Sequence, residues 1–189
     1  PSLTLSSSRS PVDADLDLAL SFDEGAASTF ADATGRWRIS AAPSVAVAGP
    51  LRARAGSGAA FFTENSSSDG LSGITVTPAR GALFTRGEQI GDFSLECWLY
   101  PANLENGEQI LSWTSSLRSP LGENVFQRVR CIISHNRLEW TFTDFFASPD
   151  EGKRVTIVLK PQSSVLPRTW SHHLVRFDAQ TGLLEYLVD

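Results

Sequence analysis

Side chains suited to binding a sugar occupy the polar positions of two predicted β-strands. The set consists of Trp98, Tyr100 and Glu96 on one strand and Arg128 and Arg130 on another. Aromatic rings stack on the C–H faces of sugars, and guanidinium groups make paired hydrogen bonds with their hydroxyls. If both polar faces belong to one sheet, the sequence predicts an aromatic and arginine-rich ligand platform. Alternatively, a loop or another strand covers Trp98, which then contributes to a second, smaller core.

Carboxylates that could hydrolyse a glycosidic bond are not paired in the sequence. Such an enzyme needs two carboxylates that flank the scissile bond. Asp13, Asp15 and Asp17 alternate along a predicted first strand, a pattern typical of a solvated outer face. Glu139 and Asp144 fall on opposite parities and cannot face one substrate from a regular strand. We therefore expect that the protein is not an enzyme.

The histidines and cysteines also fail to form a catalytic set. His172 and His173 are adjacent, so on a strand they point to opposite faces and cannot share one site. Cys97 and Cys131 both fall on core parities of their strands. Either they are buried free thiols or they form one disulfide, and the sequence leaves both possibilities open.

Composition excludes several other classes of protein. The 189 residues carry 16 Lys plus Arg against 21 Asp plus Glu, a net charge of -5. Nucleic-acid binders need excess cations that displace counterions from phosphates, so we expect no nucleic-acid partner. No run of about 18 apolar residues is present, so we expect no membrane-spanning segment. Two cysteines are too few for a four-cysteine zinc site.

The elements that must position these side chains are short alternating strands. The first twelve residues, PSLTLSSSRSPV, predict a linker or arm at 1–12 that precedes a domain at 13–189. Clear strands are predicted at 13–22, 93–100, 109–114, 125–133, 138–143, 155–159, 170–177 and 183–188. Turn signals separate them, and no long segment has a helical period. The sequence therefore predicts an all-β fold, an antiparallel two-sheet jelly-roll sandwich.

Four segments, in order, resemble one superfamily. They are LALSFDEG with the DATG that follows it, AGSGAAFF, DFSLECWLYP, and TWSHHLVRFD followed by TG and YLVD at the end of the chain. In this set the chain resembles the laminin G-like and concanavalin A-like lectin and glucanase jelly rolls, which include the pentraxins. In that superfamily a strand like Tyr186–Asp189 is usually followed by further strands. The resemblance therefore implies that final strands are missing and that the chain belongs to a longer protein. The alternative is that this member closes its sheet differently.

The resemblance also implies a function and a cofactor. It implies a non-catalytic recognition module that binds carbohydrate, within a larger protein that is extracellular, periplasmic or on the cell surface. The partners expected are a glycan or a cell-surface protein, together with other domains of the parent chain. Asp23 and Asp32 stand at the acidic turn positions where many members hold calcium, although both could instead cap turns. The rival functions are a protein–protein adhesion or structural module and a glycoside hydrolase of the same fold.

Overall fold

The computed structural model describes residues 15–23, 30–63, 73–85, 90–118, 122, 124–147 and 153–189. Over these residues the structure consists of antiparallel β-sheets and contains no α-helix, as the alternation predicted. The chain divides into two compact units, Pro1–Phe84 and Thr85–Asp189. The arm at 1–12 and the domain start at 13 stay predictions, because both lie outside the described residues.

The first unit contains four short strands. They are β1 (Trp37–Ala41), β2 (Val45–Ala48), β3 (Ala59–Phe62) and β4 (Ile74–Pro78). β1 pairs with β4, and β2 pairs with β3, both antiparallel. Trp37 and Val45 are buried at the start of their strands, so each two-stranded sheet contributes one anchor to the interior of this unit.

The predicted first strand is not a strand over its described part, residues 15–22. Side chains hold this segment in place of a ladder of backbone hydrogen bonds. The Asp17 carboxylate accepts hydrogen bonds from the backbone N–H groups of Leu83 and Phe84, at 2.7 and 3.0 Å. Asp17 was expected on a solvated outer face, but aspartate side chains readily satisfy backbone donors that would otherwise need a neighbouring strand. Period two alone therefore misassigned this segment.

The second unit contains the seven remaining strands. They are β5 (Phe93–Leu99), β6 (Gln109–Arg118), β7 (Asn124–Ser134), β8 (Arg137–Ala147), β9 (Arg154–Leu159), β10 (Ser171–Asp178) and β11 (Leu183–Val188). β6 to β9 form a four-stranded antiparallel sheet in chain order, and a three-stranded sheet has the order β11-β10-β5. The alternation predicted a strand at each of these seven places, and all seven are confirmed.

Turn chemistry sets the register of the central hairpin between β7 and β8. His135 and Asn136 have positive φ values of 51° and 62°, and Ser134 pairs with Arg137 across them. Two consecutive left-handed residues define the tight hairpin turn whose twist matches that of the strands. The turn puts Cys131 beside Trp140 and aligns the buried parities of the two strands.

The two sheets of the second unit pack face to face through aromatic rings. Phe146 of the four-stranded sheet lies 4.8 Å from Phe177 of the three-stranded sheet, centroid to centroid. The ring centroid of Phe93, in the three-stranded sheet, lies 6.5 Å from that of Phe142, in the four-stranded sheet. Phe142 is fully buried. Rings at these separations attract each other beyond the burial of their area. The unit is therefore sandwich-like, with one parity of each strand inside.

A polar chain crosses this apolar interior. His173 is 1% exposed, and its two ring nitrogens lie 2.7 Å from Ser171 Oγ and 2.7 Å from Tyr186 Oη. A neutral imidazole has one donor and one acceptor nitrogen, and a hydroxyl can donate or accept, so these two contacts suit an uncharged ring. Burial, reinforced by the neighbouring His172, lowers the pKa of His173 to about 4.

Both cysteines are free thiols in the same interior. Cys131 is fully buried, and Cys97 faces inward opposite His173 on the adjacent strand. Burial, with a smaller effect of Glu96, raises the pKa of Cys97 to about 11, and burial raises that of Cys131 further. Thiols with raised pKa values stay protonated and are poor nucleophiles, so these two act as apolar packing groups.

The buried His173 predicts acid-sensitive stability. The unfolded chain binds a proton near pH 6.5, whereas the folded chain does so only near pH 4, so protonation favours unfolding. The free energy of unfolding should be unaffected by this group above pH 6.5 and fall by about 3 kcal/mol between pH 6.5 and 4. Urea titrations at a series of pH values measure this slope.

The adjacent His172 provides the matched control, because it points to the opposite face of β10. His172→Gln should keep the slope between pH 6.5 and 4, and His173→Gln should flatten it. NMR of the wild-type protein offers a second readout in which the His173 ring does not titrate above pH 5. A His173 ring that titrates near pH 6.5 would contradict this account.

Candidate functional site

An aromatic surface covers one end of the outward face of the three-stranded sheet. We call it the aromatic face, and it consists of Glu96, Trp98, Tyr100, Trp170 and His172. Trp98 is 38% exposed and Tyr100 is 47% exposed. Tyr100 and Trp170 follow β5 and precede β10 directly, so both extend the sheet surface at its edge. The aromatic face therefore combines accessible rings with one carboxylate.

Register and parity bring these side chains together. Trp98 of β5 is the direct cross-strand partner of His172 of β10. Alternate residues of β5, beginning with Phe93, point inward, so Glu96 and Trp98 must point outward. Pro101 follows immediately and is buried, which ends the strand and fixes the position of Tyr100.

The rings of the aromatic face contact one another in pairs. The Trp98 and His172 centroids are 4.8 Å apart at an interplanar angle of 34°, and those of Tyr100 and Trp170 are 5.3 Å apart at 49°. His172 Nε2 also lies 2.8 Å from Glu96 Oε1. The Glu96 side chain is 61% exposed, so this contact is screened by solvent and adds little stability. Its effect is to hold the imidazole against the indole.

The structure does not bring the two predicted halves of the ligand platform together. Arg128 and Arg130 lie on β7, in the four-stranded sheet, and Trp98 lies on β5, in the three-stranded sheet. Both groups point away from the interior that the two sheets share, so they occupy opposite outward faces. The sequence specifies which side chains of a strand share a face, but it does not specify the sheet to which the strand belongs. The predicted platform required both strands to lie in one sheet.

The alternative was that a loop or another strand covers Trp98. In the described residues, however, the Trp98 side chain is 38% exposed. Trp170 and His172 also belong to the aromatic face, although neither was among the residues predicted for the ligand platform. Their common parity, two residues apart, was the signal that could have revealed them. The alternation of polar and apolar residues did not predict that β10 pairs with β5, which is the pairing that brings them next to Trp98.

Asp32, the first residue expected to bind calcium, is a structural hydrogen-bond acceptor. Its carboxylate accepts hydrogen bonds from the backbone N–H groups of Ala19, Thr34, Arg36 and Trp37 and from the Thr34 hydroxyl, at 2.5 to 3.1 Å. Burial raises the pKa of Asp32, but the hydrogen bonds from Thr34, Ala19 and Trp37 outweigh it and the pKa lies below its usual value. A carboxylate surrounded by hydrogen-bond donors does not fit a calcium ligand.

Asp23, the second such residue, also binds its own chain. Ser57 donates its backbone N–H to Asp23 Oδ1 at 2.5 Å and its hydroxyl to the same oxygen at 3.1 Å. The loop can approach so closely because Gly58 lacks a side chain, since a Cβ there would lie 1.9 Å from the Phe22 carbonyl oxygen. Among the described residues no group of three or more His, Cys, Asp or Glu side chains is placed to hold a metal ion. Calcium binding stays a prediction.

The carboxylates considered for hydrolysis have other surroundings. Glu139 Oε2 lies 2.8 Å from Lys160 Nζ, and this hydrogen bond lowers the pKa of Glu139. A catalytic acid in a glycosidase needs a raised pKa, so Glu139 is unsuited to that role. Asp144 lies at the bulge where the pairing of β8 with β9 is interrupted, and it has a positive φ of 52°.

Comparison with protein-family models, with curated proteins and with solved structures gave no match for this chain. Within the described part of the chain, no helix has the length and apolar character needed to cross a membrane.

The hydrogen bonds of Asp32 predict a large effect of its removal. Asp32→Ala leaves four backbone N–H groups and a hydroxyl short of an acceptor, and should lower the free energy of unfolding by about 2–4 kcal/mol. Asp23→Ala, which removes an exposed carboxylate, should cost less than about 1 kcal/mol. Urea denaturation, together with hydrogen exchange at the Trp37 amide, measures both effects. Equal effects of the two variants would show that Asp32 does not organise this unit.

Proposed function

We propose that the protein is a non-catalytic recognition module that binds carbohydrate on the aromatic face. The observation that carries this proposal is the accessible pair Trp98 and Tyr100, each supported by a second ring behind it. Large aromatic side chains are mostly buried in folded proteins, and an accessible group of them marks a binding surface. The likeness to concanavalin A-like jelly rolls supports the same function.

The geometry suits the two sides of a pyranose ring. The indole of Trp98 offers a flat surface on which the C–H face of a sugar can stack. The Glu96 carboxylate lies on the same strand and parity, so it can accept hydrogen bonds from hydroxyls at the edge of a stacked sugar. Because His172 already contacts both groups, neither has to be ordered when the ligand binds, and the entropic cost of binding is reduced.

Apolar side chains beside the aromatic face favour a second candidate function, a protein–protein adhesion or structural module. Leu187 of β11 is 44% exposed and pairs with Leu174, on the same outward face as His172. An apolar strip next to aromatic rings is typical of a protein interface core. The structure gives no observation that favours a glycoside hydrolase.

The remaining parts of the proposal rest on the resemblance. We infer a jelly-roll topology, a place within a longer secreted or surface protein, and a location that is extracellular, periplasmic or at the cell surface. A glycan or a cell-surface protein is the partner that these properties imply.

A glycan array probed with the intact chain tests the proposal. The expected result is binding to a defined set of glycans, with affinity for the best of them reduced at least tenfold in Trp98→Ala. The matched control is Phe126→Ala, because Phe126 is an aromatic residue 60% exposed on a strand of the other sheet. This variant should bind like the wild type.

Three outcomes separate the candidate functions. Binding that is lost in Trp98→Ala and kept in Phe126→Ala supports glycan recognition on the aromatic face. Glycan binding that is unchanged in Trp98→Ala contradicts that site. Turnover of a polysaccharide by the wild-type chain would instead identify a hydrolase, and an array without any bound glycan would favour the adhesion module.

A further inference from the structure

A second surface with its own chemistry lies on the outward face of the four-stranded sheet. At its centre, two guanidinium side chains stand two residues apart on β7, with one hydroxyl residue beside each of them on both neighbouring strands. We call this set the arginine face, and it consists of Arg128, Arg130, Ser112, Thr114, Thr141 and Thr143. Arg128 pairs with Thr114 and Thr143. Arg130 pairs with Ser112 and Thr141.

The positive charge of the arginine face is not compensated at these positions. All four cross-strand neighbours of the two arginines are Ser or Thr, so no carboxylate stands directly opposite either of them to form a favourable charge pair. Glu139 is in the next cross-strand row, paired with Ile132, and its carboxylate is held by Lys160 at 2.8 Å. The Glu139 carboxylate is therefore already engaged by Lys160.

One donor atom of Arg130 lacks a hydrogen-bond acceptor in this arrangement. Its Nε atom is enclosed by the protein and has no hydrogen-bond partner among the described residues. An enclosed donor without an acceptor lowers stability, and the penalty is larger for a charged group. The side chain of Arg130 is only partly enclosed and that of Arg128 is exposed, so both can meet a ligand from solvent, although the Nε atom of Arg130 itself cannot.

We propose that the arginine face binds an oxyanion group of an acidic polysaccharide, either a carboxylate or a sulfate ester. Two arginine side chains that leave β7 on the same face can present several N–H donors to one anionic group, and a fork of donors matches the oxygens of carboxylate and sulfate. The four hydroxyls around them donate to or accept from the remaining oxygens of the ligand. The proposal does not depend on sugar binding at the aromatic face, which points the opposite way.

The negative net charge of the chain restricts the binding of a polyanion to the arginine face. A net charge of -5 repels a polyanion from most of the surface, so association must come from a confined positive area. Binding should therefore respond to the two arginines far more than to other cations of the chain.

Calorimetric titration with three polymers tests the proposal: polygalacturonate carries carboxylates, dextran sulfate carries sulfate esters, and dextran is neutral. We expect binding of at least one polyanion that Arg130→Gln weakens about tenfold and Arg128→Gln weakens in the same direction. Arg130→Lys keeps the charge and removes the fork, so it should recover only part of the affinity. The thermal midpoint of each variant verifies that it folds.

The matched control is Arg176→Gln, which removes the same charge from the outward face of the other sheet, where Arg176 is paired with Glu185 at 2.6 Å. This variant and Trp98→Ala should bind the polyanion like the wild type. The proposal is overturned if no polyanion binds, if dextran binds equally well, or if Arg176→Gln weakens binding as much as Arg130→Gln. Loss of neutral-glycan binding in Trp98→Ala alone would concern only the aromatic face.

Discussion

Burial of one parity of side chains between two antiparallel sheets is the constraint on which the second unit depends. Phe142, Ile133, Leu138 and Val175 are fully buried there. Because successive side chains of a strand alternate in direction, every inward anchor dictates an outward neighbour. The burial of the Phe93 parity of β5 thus exposes Trp98, and the burial of Val129 and Cys131 exposes Arg128. Core and surface are two consequences of one pattern.

The same constraint explains why the buried titratable groups of the interior are neutral. His173 is placed inside by its parity, and it stays uncharged because burial, reinforced by the neighbouring His172, disfavours the charged form. Ser171 and Tyr186 lie within hydrogen-bond distance of its two ring nitrogens. Burial raises the pKa of Tyr186 far above its usual value, with Cys131 adding to the effect, so this hydroxyl also stays neutral. The outward groups are free of this restriction, and the charged and amphipathic side chains that could meet a ligand are found there.

The alternation of polar and apolar residues predicts where strands lie and which side chains share a face, and this limits how much of the structure the sequence could predict. It identified all seven strands of the second unit and the inward or outward direction of Trp98, Arg128 and Cys131. The turn signals indicated hairpins between neighbouring strands, but the pairing of β5 with β10 could not be identified because it joins segments distant in sequence. The sequence interpretation therefore joined the aromatic and arginine residues that the structure separates. It misassigned residues 15–22, because aspartate side chains bonding to the backbone also produce a polar alternate position. The alternative that Asp32 caps a turn is confirmed by its hydrogen bonds from Thr34 and Trp37, but its hydrogen bond from Ala19, thirteen residues away, had no signal in the pattern.

Both the fold and the proposed site require that Trp98 of β5 points outward. The solvent accessibility of the Trp98 side chain is therefore the most direct test. Hydroxyl-radical footprinting with mass spectrometry compares the oxidation rate of Trp98 with that of Trp140, which is 2% exposed in the interior. The account predicts rapid oxidation of Trp98 and Tyr100 and strong protection of Trp140 in the folded chain. Protection of Trp98 equal to that of Trp140 would contradict the outward direction of the aromatic face and, with it, the arrangement of the sandwich.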